Sequence, residues 1–111
     1  MNLFGGDIMA FGISESFNKR FNNVLDLIYS YNIDYTSIGI FGSYARGNYK
    51  ASSDIDFCIV TDKRPDRKIS GSLREEAEIL GADIVWCTTD SFNNSKSKFM
   101  NNLRKDYKKI A

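Results

Sequence analysis

The chain contains no histidine. That absence excludes a Ser-His-Asp triad, histidine-ligated zinc and any histidine general base. There is no GxxxxGK[ST] phosphate loop either, which excludes a P-loop NTPase. Proline occurs once, at Pro65, and cysteine twice, at Cys58 and Cys87. Both cysteines fall in apolar runs that read as core strands. Reduced, buried thiols of a cytoplasmic protein are therefore expected before a disulfide or a metal pair. An excess of one charge is missing too: the formal net charge is +1, so no basic field argues for direct nucleic-acid binding. No apolar run approaches the roughly 20 residues that span a bilayer, and no membrane partner is expected. Any chemistry must run on carboxylates, hydroxyls, Lys or Arg, and a metal.

A chain of 111 residues reads as one domain with a single modest core. The start, MNLFGGDIMAFG, is apolar but broken by Gly5, Gly6 and Gly12, and it lacks the basic start of a signal peptide. Residues 1–13 are read as a flexible N-terminal arm and 14–111 as the folded unit.

Ser14 to Asn32 reads as a helix, with Ser14 as its cap and Phe17, Phe21, Val24, Leu25 and Ile28 as its inner face. Tyr35 to Phe41 follows as a short strand. The polar stretch from Thr61 to Gly71 reads as a connection. Ser72 with Glu75 matches a capping box, Leu73, Ala77 and Leu80 give an apolar stripe, and Gly81 is placed to end that helix. Ala82 to Cys87 is the next strand, with an acid, Asp83, near its start. Ser91 to Ile110 reads as one closing helix with Phe92, Phe99, Leu103, Tyr107 and Ile110 inside and a solvated basic face outside. The order helix, strand, turn, strand, helix, strand, helix suits a small α/β (α+β) domain: a mixed β-sheet with helices packed mainly on one face.

The informative stretch is GIFGSYARGNYKASSDIDFCIV, from Gly39 to Val60. In Ser53-Asp54-Ile55-Asp56-Phe57 acids and apolar residues alternate, so Asp54 and Asp56 share one face of a strand while Ile55 and Phe57 turn inward. Carboxylates about 6–7 Å apart on one face repel by roughly 2 kcal/mol at an effective dielectric near 20. A hard cation with oxygen ligands removes that cost. Upstream, Gly42 lets the backbone approach a ligand, Ser43 is placed to cap the next turn, and Arg46 is one turn on with a planar fork for phosphate. An anion cradle beside a cation holder makes a site for a metal-bound nucleoside triphosphate, with Asp83 as a third acid from a neighbouring strand.

Gly42-Ser43-Tyr44-Ala45-Arg46-Gly47 followed by Ser53-Asp54-Ile55-Asp56-Phe57 resembles the signature of the DNA polymerase β-like nucleotidyltransferases, and within them the small stand-alone minimal nucleotidyltransferases. The likeness runs from about Phe17 onward. It implies a polymerase β-like palm in which Gly42 and Ser43 meet the β/γ-phosphates, Asp54 and Asp56 hold two Mg²⁺ ions (Mn²⁺ being the alternative), and Asp83 is the third carboxylate. Arg46 matches the arginine of the family's motif. By the same resemblance, the donor is an NTP, ATP first, and the partner is a HEPN-type toxin silenced by AMP transfer to a tyrosine. HEPN nucleases rely on a histidine, so this chain is not the toxin itself. Two other readings stay open: an antitoxin or binding module that acts by occlusion alone, and a small-molecule (antibiotic) nucleotidyltransferase.

Overall fold

The structure, a computed structural model, describes residues 15–50 and 52–111. The arm expected over 1–13 and the candidate cap Ser14 lie outside the described residues. Helix α1 (Glu15–Ser30) buries Phe17, Phe21, Val24, Leu25 and Ile28, the stripe that the 3.6-residue spacing calls for. It closes in a turn with Asn32 at φ 52°, a left-handed conformation that asparagine tolerates. Then come β1 (Ser37–Phe41), the single-turn α2 (Gly42–Arg46), β2 (Ile55–Thr61), α3 (Arg67–Ile79), β3 (Ala82–Thr88), α4 (Thr89–Asn94), α5 (Lys98–Asp106) and β4 (Lys108–Lys109).

The strands form one four-stranded mixed sheet in the order β3-β2-β1-β4. β1 lies antiparallel to both β2 and β4, while β2 and β3 are parallel and joined through α3, the crossover that a parallel pair requires. The two long helices α1 and α3 share one face of the sheet, packed over Ile38, Ile40, Ile55, Phe57, Ile59, Ile84 and Trp86. On the other face α5 places Met100 and Leu103 over Cys58, Val60 and Cys87. The thiols of Cys58 and Cys87 are free and buried, with Sγ atoms 3.5 Å apart.

Three features depart from the sequence reading. Helix α3 starts before Ser72: Asp66 caps it by accepting from the Lys68 amide at 2.8 Å. Ser72 lies mid-helix, where its hydroxyl meets Tyr31 Oη at 2.8 Å. An Asp directly after Pro65 outcompetes the capping box, and the helix carries Gly71 in its interior at a cost near 1 kcal/mol.

The closing helix is two helices. Thr88 caps α4 and Ser97 caps α5, each hydroxyl accepting an amide hydrogen bond at 3.1 Å, from Ser91 and Met100 respectively. Arg104 ties them together by donating to the Phe92 carbonyl at 2.7 Å and the Ser95 carbonyl at 2.5 Å. Met100 and Leu103 therefore form the inner stripe, and Phe99 is turned outward.

The last departure is β4, a strand where the sequence suggested helix. It registers Gly39 against Lys109 and Ile40 against Lys108, and the Ile38 amide donates to the Ala111 carbonyl at 3.0 Å. Lysines on an outer strand discourage further pairing.

Gly39 makes that pairing possible. A Cβ there would fall on the ring of Tyr107 and lie 2.7 Å from the Lys108 carbonyl oxygen. The Tyr107 hydroxyl in turn meets Ser37 Oγ at 2.5 Å. Gly39→Ala should destabilise the fold by about 1–3 kcal/mol through overpacking, read as a lower urea midpoint. An unchanged midpoint would show that β4 is not held this way.

Candidate active site

On one face of β2, alternation lines up Asp56, Cys58 and Val60, and Asp54 precedes them by the same two-residue step. Ile55 and Phe57 point the other way, into the core. Asp56 registers with Asp83 on β3 and with Phe41 on β1. Its carboxylate therefore has Asp83 beside it on a strand about 4.8 Å away. Helix α5 covers the same face farther along, over Cys58 and Val60, and leaves the acid end accessible: Asp54 and Asp83 are exposed and Asp56 is half-buried.

The corner after β1 meets this cluster directly. Gly42 has φ +75°, and a Cβ placed on it would collide with Oδ2 of Asp56. Glycine is required here by the left-handed backbone and by the carboxylate lying against it, a reason internal to the fold and additional to any ligand approach. Ser43 does not cap α2; the cap position is Phe41, which has no side-chain acceptor, and Ser43 is the second residue of the helix. The helix ends at Gly47, φ +82°, whose amide donates to the Ser43 carbonyl at 2.9 Å.

Arg46 is engaged within the fold. It pairs with Asp106 of α5 at 2.6 Å, so the sequence expectation of a guanidinium facing phosphate is met by an arginine already holding α2 to α5. Two groups that sequence reasoning passed over hold the other side. Arg20 donates to Tyr44 Oη at 2.6 Å and to the Ser53 carbonyl at 3.2 Å, and its guanidinium lies 5.5 Å from the Tyr44 ring centroid. Tyr44 is buried between Phe17 and Tyr49, with ring centroids 4.8 and 4.2 Å away. This clamp fixes the residue immediately before Asp54. The only sequence signal was a tyrosine inside the glycine-serine motif, because Arg20 sits on a helix whose apolar stripe alone was informative.

Electrostatics ties the acids together. Burial, then Asp83, then Asp54 push the Asp56 carboxyl from its usual 3.8 up to about 6, with Arg46 pulling the other way. The donors are all oxygen and negatively charged, and a divalent cation is the partner that would relieve their repulsion. As the side chains stand, no group of three or more acids or other ligating residues among the described residues is close enough to hold an ion.

The sequence family described as nucleotidyltransferase domain matches residues 18–109, and the chain belongs to it. A comparison with curated proteins gave no match. Among solved structures, a toxin–antitoxin with AMP-PNP aligns at TM-score 0.60 and 20% identity, over 81% of this chain and 71% of that one. A mutant of the toxin–antitoxin MntA-HpeT aligns at TM-score 0.58 and 20% identity, over the same shares of the two chains. A tri-AMPylated Shewanella oneidensis HEPN toxin in complex with MNT antitoxin aligns at TM-score 0.56 and 18% identity, over 85% and 71%. These likenesses establish the nucleotidyltransferase fold.

A carboxyl whose folded pKa is raised binds more protons folded than unfolded, so it lowers stability as pH rises from about 4 through about 6. In EDTA, Asp56→Asn should therefore gain on wild type across that window. The gain should level off near pH 7 at on the order of 1 kcal/mol, once the full shift is discounted for a half-exposed group. Thermal melts at stepped pH measure it, and a pH-independent difference would contradict the crowding of Asp56.

Proposed function

We propose that the chain is a Mg²⁺-dependent nucleotidyltransferase that moves a nucleoside monophosphate, AMP first, from an NTP to a hydroxyl of a HEPN-type toxin partner. The observation that carries this reading is the register placing Asp56 between the Phe41–Gly42 corner and Asp83, with Asp54 two residues before it. Asp54, Asp56 and Asp83 are the residues that would hold divalent ions, and an all-oxygen set suits Mg²⁺ or Mn²⁺. Bound there, such ions would supply charge neutralisation for the triphosphate and for the attacking and leaving oxygens.

The chain's own groups do the positioning. The amides at the start of α2, at Gly42 and Ser43, offer donors to the phosphate tail. Asp83, exposed at the outer strand, receives the proton of the acceptor hydroxyl. Arg46 holds the corner through Asp106 and tempers the negative field on Asp56. The fold resemblance to toxin–antitoxin complexes supports a protein acceptor, and AMP-PNP in one of them supports an adenine nucleotide as donor.

The three acids do not close into a ready cage as they stand, which favours occlusion without catalysis as the second reading. The two separate in one assay: purified protein, HEPN-type partner, Mg²⁺ and α-labelled ATP. Transfer should move label to the partner, and Asp54→Asn or Asp56→Asn should reduce it at least about 100-fold while binding persists. A stable complex without label, in wild type and variants alike, would establish occlusion instead.

A further inference from the structure

Across the sheet from the acids, α3 carries Arg67, Ser70, Gly71 and Arg74 at i, i+3, i+4 and i+7, one helical face. That face, with Arg64 and Pro65 before the helix and Trp86 on β3, lines a cavity of about 350 Å³. β3 is the outer strand, so the cavity lies between a helix and the edge of the sheet. Gly71 keeps its wall open: a Cβ there would meet nothing within 4 Å.

The chemistry of the lining is one-sided. The guanidiniums of Arg67 and Arg74 have no ion-pair or hydrogen-bond partner among the described residues; the Arg67 carbonyl is engaged, accepting from Ser70 Oγ at 3.2 Å. Arg64 donates to the Trp86 carbonyl at 3.4 Å and to no other acceptor among the described residues. Trp86 is 7% exposed, and its buried Nε1–H has no acceptor among the described residues. Buried donors are ordinarily satisfied, and an indole N–H can only donate. Arg64, Arg67 and Arg74 line the cavity together with Trp86, and among the described residues no carboxylate lines it to answer them. The complement is an anion built entirely of acceptors. Phosphate fits best, since its oxygens accept the guanidinium fork in pairs and leave one for a further donor. Trp86 and Asp83 sit on opposite faces of β3, three residues and about 10 Å apart, so this cavity is distinct from the acid cluster.

We propose that the cavity between α3 and β3 is a second, metal-independent site for a small phosphate-bearing ligand, held by Arg64, Arg67, Arg74 and the Trp86 indole N–H. The proposal stands apart from the transferase reading, and its test runs without divalent ions.

Trp86 is the single tryptophan of the chain, so its indole N–H gives one unambiguous resonance. ¹⁵N-labelled protein is titrated in EDTA at fixed ionic strength with inorganic phosphate, pyrophosphate, AMP or chloride. The expected result is a saturable indole shift with the phosphates and none with chloride. A stronger response to AMP than to phosphate would identify a nucleotide as the ligand, and the reverse would identify free phosphate. Arg67→Gln with Arg74→Gln should weaken binding about tenfold or more, as loss of charge-assisted hydrogen bonds does, while the circular dichroism stays native. Trp86→Phe, followed by calorimetry, should weaken it without abolishing it. Asp56→Asn should leave it unchanged. A linear or chloride-equal shift, full binding in the double-arginine variant, or dependence on Mg²⁺ or Asp56 would overturn the proposal.

Discussion

The carboxylate of Asp56 lies against the bare Cα of Gly42, and the rest of the site depends on that contact. It fixes the spacing between the Gly42 corner and the acids, because no side chain intervenes and none fits. It also partly buries Asp56 beside Asp83, which makes the group's charge costly in the isolated protein. A carboxylate perturbed in this way, by burial and by neighbouring acids, marks a candidate functional site.

Two clamps keep this arrangement from relaxing. Arg20, through Tyr44 and the Ser53 carbonyl, holds the segment that delivers Asp54. Arg46, through Asp106, holds the short helix following Gly42 against α5. Both arginines reach from the surface into polar partners rather than into the apolar core. The sheet supplies the strand ends, and the arginines fix the loops between them.

Much of this was legible in the sequence because the signals were local. The apolar stripe of α1, the alternation around Asp54 and Asp56, and the glycine at the corner are each written within a few residues. What was missed depends on distant parts of the chain. β4 is a Lys-Lys pair with no strand pattern, made a strand by Gly39 some seventy residues earlier. The break in the closing helix turned on Ser97 and Thr88 as caps, which the aromatic spacing concealed. The start of α3 turned on Asp66 prevailing over Ser72. The Arg46–Asp106 pair was out of reach of the sequence because its partners lie sixty residues apart. The arginine face of α3 became a cluster only when Trp86 was brought beneath it.

The pairing of β1 with residues 108–111 bears on how the chain acquires its shape. β1 is an interior strand, flanked by β2 on one side and, on the other, by β4, some seventy residues later in sequence. Its second edge cannot close until residues 108–111 have emerged during synthesis. Contacts of such long sequence separation form after the costly loop is drawn in. Until then, the backbone of Ile38 to Ile40 offers an open ladder on which a neighbouring nascent chain can add a strand of its own. The sequence distance between Gly39 and β4 thus sets how long the growing polypeptide remains vulnerable to mispairing.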